Sequence, residues 1–127
     1  MLHFQELTGE VIKTFYEVYN ELGYGFLEKV YQNALYLELK SKGFEVEAHR
    51  KIKVFYKGQE VGFYIADLII NDTLILELKA CDYLTDDCEY QLLNYLKATE
   101  CEIGLILNFG KKAEFRRKVF HNYKKNR

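Results

Sequence analysis

The stretch Ile65 to Ala80, IADLIINDTLILELKA, limits what this chain can become more than any other. Two apolar runs of strand length flank the turn-forming residues Asn71, Asp72 and Thr73. Side chains alternate faces along a strand, so the length of the turn decides which partners meet. A two-residue loop made of Asn71 and Asp72 would oppose Asp67 to Leu76 and put charge on both faces. A three-residue loop opposes Ile70 to Leu74 and Asp67 to Glu77. One face then reads Tyr64, Ala66, Leu68, Ile70 with Leu74, Leu76, Leu78, Ala80, and the other holds Asp67, Glu77 and Lys79 among isoleucines. The wholly apolar face selects the three-residue loop, or an equivalent with a bulge.

That register sets two carboxylates side by side, and like charges directly opposed destabilise a strand pair. Something positive must offset them. Lys79, on the same face as Glu77, is one source, and the cluster would then be a surface ion-pair network. A divalent cation is the other. Two carboxylates and a backbone carbonyl, here that of Leu78, suit Mg2+ with waters left over for a substrate phosphate. Lys79 would then orient or deprotonate an attacking water, or neutralise developing charge.

The remaining sequence supplies the scaffold. Phe4, Leu7, Val11, Phe15, Val18 and Leu22 step by three or four residues and predict a helix over about 4–21. Leu27, Val30, Tyr31, Ala34, Leu35 and Leu39 predict a second over about 25–42, stopped by Gly43. FEVEAH and KIKVFY read as strands, Gly58 as the pivot of a turn, and VGFYIADLII and LILELKA as two more strands. TDDCEYQLLNYLKAT reads as a helix with Thr85 as N-cap, and IGLILNF as a buried strand. The expected order is α-α-β-β-β-β-α-β, a mixed α/β fold with helices against a central sheet, forming one domain over 1–127.

Charge is uneven along the chain. Residues 111–127 carry +7 and residues 1–110 carry −8, so a basic tail is expected from about 111. Such a block is either a phosphate-binding footprint or a solvated end. Cys81, Cys88 and Cys101 form neither a disulfide framework nor a zinc pattern. No apolar run approaches membrane-spanning length, and no basic segment followed by an apolar run opens the chain, so a cytoplasmic protein with no membrane partner is expected.

An Asp on one strand followed by Glu-x-Lys on the next resembles the PD-(D/E)XK nuclease superfamily, with Asp67, Glu77 and Lys79 on the signature positions and Ala66 where the pattern has Pro. GFLEKVY, Gly25 to Tyr31, resembles the signature of its small prokaryotic GxxExxY family, and QLLNY matches the QxxxY helix motif of the RecB-type exonuclease branch. The resemblance covers about residues 5–120. It implies a restriction-endonuclease-like fold and a metal-dependent nuclease acting on DNA or RNA. It also implies Mg2+ or Mn2+ held by Asp67, Glu77 and the Leu78 carbonyl, with Glu28 completing the site through water.

Gln91 and Tyr95 lie four apart on one helix face, where an amide and a phenol can hydrogen-bond phosphate. Lys111, Lys112, Arg116 and Arg117 are the candidates for contact with a nucleic-acid backbone. Relatives often carry a basic residue at the position of Ile65 and His at that of Cys88, and Asp82, Asp86, Asp87 and Glu89 add negative charge nearby. The alternative is a non-catalytic module of the same fold that binds nucleic acid or protein. A protein partner would supply specificity that so short a chain has little room for, and a homodimer would let it cut two strands.

Overall fold

The computed structural model describes residues 3–125; Arg127, counted above in the basic tail, lies outside the described residues. The first helix, α1 (Phe4–Leu22), buries Leu7, Val11, Phe15 and Val18, as its spacing requires. Gly23, with φ 74, ends it. The second helix, α2, runs Glu28–Ser41, three residues shorter at its start than the spacing suggested. Leu27 is its extended N-cap and is 79% exposed, so it does not belong to the buried stripe. Tyr31, Leu35 and Leu39 do.

A five-stranded sheet follows in the order β1-β2-β3-β4-β5. Its strands are β1 (Val46–Tyr56), β2 (Gln59–Ile70), β3 (Leu74–Lys79), β4 (Ile103–Phe109) and β5 (Ala113–Val119). Only β3 and β4 are parallel, and the helix α3 (Asp86–Lys97) provides the crossover that parallel neighbours need. The observed order is thus α-α-β-β-β-α-β-β. FEVEAH and KIKVFY form one strand, and the segment expected as a short strand or helix before a ragged tail is β5, paired along its length with β4.

Leu74, Leu76 and Leu78 of β3 and Ile103, Leu105 and Leu107 of β4 pack into a core with α1 and α2. Ile75 and Ile106, on the opposite face, pack with Leu92, Tyr95 and Leu96 of α3. Helices therefore cover both faces, which is why the central strands β3 and β4 are apolar but for Glu77, Lys79 and Asn108.

The turn after β2 has the three-residue form. Ile70 pairs with Leu74, and Asn71 and Asp72 both have positive φ. Leu68 and Ile70 face the α1–α2 core as expected. Tyr64 and Ala66 do not: Ala66 lies in the α3 core, and the ring of Tyr64 meets that of Tyr95 at 4.8 Å. The alternation on β2 breaks between Ala66 and Leu68, at Asp67. On β1, Val46 faces one core and Ile52 the other, and between them His49 has φ 57. The register sets His49 opposite Asp67, flanked by the Ala48–Leu68 and Arg50–Ala66 pairs. A two-stranded ribbon twists more strongly than a sheet, and here the twist carries the side chains from one core to the other.

β2 pairs with β3 only from Leu68 to Ile70. Before that it leaves the sheet with β1 alone, as an arm closed by Lys57 and Gly58, both at positive φ as a two-residue hairpin turn demands. Among the described residues, no helix is long and apolar enough to cross a membrane.

Candidate metal and phosphate site

Where β2 and β3 part, a fork opens, and Asp67 sits in it. The Leu78 N–H donates to Asp67 Oδ2 at 2.8 Å, so a side-chain carboxylate takes the place that a β2 carbonyl would fill in a continuing ladder. The Asp67 N–H in turn donates to Glu77 Oε1 at 3.2 Å. The two residues are thus tied through one backbone N–H, and the charge of Asp67 acts on Glu77. Glu77 is 6% exposed. Burial, reinforced by the charge of Asp67, pushes its carboxyl up to about 9.

Lys79 lies two residues further along β3 and is half-buried. Its charge acts on Glu77 and on Glu28. Among the described residues, no direct ion pair ties it to either acid. The ion-pair network weighed from the sequence is therefore not what offsets the two carboxylates.

Glu28 arrives from the α2 layer through the chemistry of the Gly25–Tyr31 motif. Gly25 has φ 113, a backbone state that side chains rarely adopt, and it turns the chain into α2. The Tyr31 hydroxyl accepts from the Phe26 N–H at 3.1 Å and donates to the Gly23 carbonyl at 2.5 Å. Its fully buried ring stacks on Phe109, with centroids 4.3 Å apart. Glycine and tyrosine thus fix the loop that places Glu28 in the first turn of α2. Glu28 is exposed on the helix, yet desolvation by its surroundings, then the charge of Asp67, raises its carboxyl above the ordinary value, and Lys79 opposes this. One turn later, Gln32 is buried and its Nε2 lies 2.7 Å from His49 Nε2, joining α2 to the kink in β1.

From the other layer comes α3. Tyr95 is 4% exposed, and its phenol is pushed up to about 12 by burial, then by Glu77, Asp67 and Tyr64. A hydrogen bond with Gln91 opposes that shift. The charge of Asp67 therefore acts on groups from the helices on both faces of the sheet, Glu28 and Tyr95.

Among the described residues, no three His, Cys, Asp or Glu side chains converge closely enough to ligate one ion. Glu28 therefore stands off from the Asp67–Glu77 pair. The donor set still fits a hard divalent cation: Glu77 is a buried carboxyl raised by burial and by the charge of Asp67, and such an ion would take the place of its proton.

Asn108 and Gly110 escaped the sequence reading. Asn108 is fully buried; its Oδ1 accepts from the Cys81 N–H at 3.0 Å and its Nδ2 donates to the Cys81 carbonyl at 2.9 Å. It clamps the segment just past Lys79. A Cβ on Gly110 would lie 2.1 Å from the Cys81 carbonyl oxygen, so only glycine fits. A polar residue inside the apolar run IGLILNF was the signal for this clamp.

The basic candidates divide. Lys111 and Lys112 are exposed in the turn after β4, at the sheet end where Lys79 aligns with Asn108. Arg117 is exposed on β5. Arg116 is engaged by Glu114 at 3.3 Å and Glu89 at 3.8 Å, and Lys118 also binds Glu89, so this part of the basic block neutralises the acidic helix α3.

No curated protein and no solved structure matches the chain. A family model described as the PD-(D/E)XK nuclease superfamily matches residues 5–118. That span runs from α1 into β5 and contains the fork with every side chain brought to it, so the chain belongs to the PD-(D/E)XK nuclease superfamily.

Proposed function

We propose that the chain is a metal-dependent nuclease hydrolysing phosphodiester bonds of DNA or RNA, and that Gly25, Glu28 and Tyr31 mark it as a GxxExxY member of its superfamily. The observation that carries this reading is the Asp67–Glu77 carboxyl pair in the fork between β2 and β3, with Glu77 buried and Lys79 beside it. Nucleases of this superfamily generally use divalent metals. Asp67, Glu77 and the Leu78 carbonyl would hold Mg2+ or Mn2+, with Glu28 behind them. A bound ion supplies Lewis-acid stabilisation of a phosphoryl oxygen and lowers the pKa of bound water.

The protein's own groups do the rest. Lys79, an ammonium with no acid in direct contact, orients the attacking water or neutralises charge developing on the phosphate. Tyr95, held protonated, and Gln91 offer O–H and N–H donors to a phosphate oxygen. Lys111 and Lys112 extend positive charge along the rim. The test is a panel of end-labelled DNA and RNA, single- and double-stranded, incubated with Mg2+ or Mn2+. Cleavage by the wild type and its loss in Asp67→Ala are expected. Equal cleavage by both proteins would put the site elsewhere.

A further inference from the structure

A groove of about 910 Å3 lies away from the carboxylates. It runs between the β1–β2 arm and the C-terminal half of α3. Three cations line it, Lys53 and Lys57 from the arm and Lys97 from α3, and no carboxylate does. Three aromatic rings line it as well: Phe55 at 60% exposure, Tyr56 at 62% and Tyr64 at 36%. A bulge between Val54 and Phe55 breaks the strand register here, and the chain turns at Lys57 and Gly58 immediately beyond.

Large aromatic side chains left in water on a two-stranded arm are costly unless something covers them. The groove also leads to the site, because Tyr64 touches Tyr95 with ring centroids 4.8 Å apart and Tyr95 senses Glu77 and Asp67. From Gln59 to Asp67 the arm spans about 26 Å at about 3.3 Å per residue.

We propose that this groove binds an unpaired nucleic-acid strand, its bases stacked on Phe55, Tyr56 and Tyr64 and its phosphates on Lys53, Lys57 and Lys97, and leads it to the carboxylate fork. The last clause rests on the nuclease reading; the binding does not. Three lysines in a groove that no carboxylate lines select a polyanion; among the described residues only Lys53 reaches an acid outside it, Glu60 at 4.0 Å. Exposed rings select one whose base faces are free, since in a duplex those faces are already stacked on each other. A groove walled by a narrow hairpin and a single helix suits a strand of several nucleotides, within the range of about 4–16 that such platforms cover.

The experiment is fluorescence anisotropy in EDTA, with labelled dT and rU oligomers of about 15 nucleotides and a mixed-sequence duplex of the same length. Either unpaired oligomer is expected to bind at least about tenfold more tightly than the duplex at equal salt. Phe55→Ala with Tyr56→Ala should weaken unpaired binding by about tenfold or more with Tm unchanged, because both residues are exposed. Lys53→Gln with Lys57→Gln should reduce the slope of log affinity against log salt by about 1.4. Duplex binding as tight as unpaired binding, or no loss in the aromatic double variant, overturns the proposal. Because no metal is present, failure here leaves Asp67-dependent cleavage untouched, and failure of that cleavage leaves the binding result standing.

Discussion

The two halves of β2 share a backbone and little else. Leu68, Ile69 and Ile70 pair on both sides and are buried between two helical layers. Residues 59–65 pair only with β1 and are exposed, although Val61, Phe63 and Ile65 are as apolar as anything in the core. Composition therefore does not separate the buried half of this strand from the exposed half; the presence of a second neighbouring strand does. Asp67 stands at the border, where the ladder ends and a carboxylate can occupy a backbone position.

The strongest test of that border is Asp67→Ala, which should lower metal-dependent cleavage by about a thousandfold, about 4 kcal/mol in the barrier. Circular dichroism should show an intact fold. Wild-type rates in the variant would remove the border's chemical meaning. On the paired side, Leu76→Ala opens a cavity in the sealed α1–α2 core and should cost about 2–5 kcal/mol in urea unfolding. A cost below about 1 kcal/mol would mean that the central strands are not packed as described.

Glu77 sharpens the comparison through pH. Its folded pKa, about 9, lies above the ordinary 4.5, so the folded state holds a proton that the unfolded state releases. Stability from this group is complete below about pH 4.5 and is lost as pH rises towards about 9. At pH 7 the loss is about 3 kcal/mol. In EDTA, wild-type Tm should fall from about pH 5 to about pH 8, while Glu77→Gln stays level and is the more stable protein at neutral pH. A flat wild-type profile would contradict the burial of an acid with no cation in direct contact. The smallest effect belongs to the arm. Phe63, 52% exposed and beneath Lys51 at 4.3 Å, should cost no more than about 0.5 kcal/mol when changed to Ala, by the same unfolding measurement.

Much of this was legible in residue order. The three-residue turn and the Asp67–Glu77 adjacency followed from period-two alternation, because only one register hid every leucine. The helix face of Gln91 and Tyr95 followed from their spacing. The break at Asp67 did not, since ribbon twist overrides alternation and has no residue signature beyond His49, an ordinary strand residue by type. The start of α2 was misread because LEKVY continues a helical period that the glycine turn before it interrupts. The basic end read as a tail because Arg116 and Lys118 reveal their partner, Glu89, only after α3 crosses over the sheet.

The free flank of the arm has a cost of its own. Along β2 from Gln59 to Ala66, one row of amides and carbonyls has no strand beside it, and sticky side chains stand next to it. Such a selvage is a template on which a second molecule could knit. Like-charged Lys51, Lys53 and Lys57 on the adjoining strand and turn act as gatekeepers, because two such arms brought together would set ammonium against ammonium.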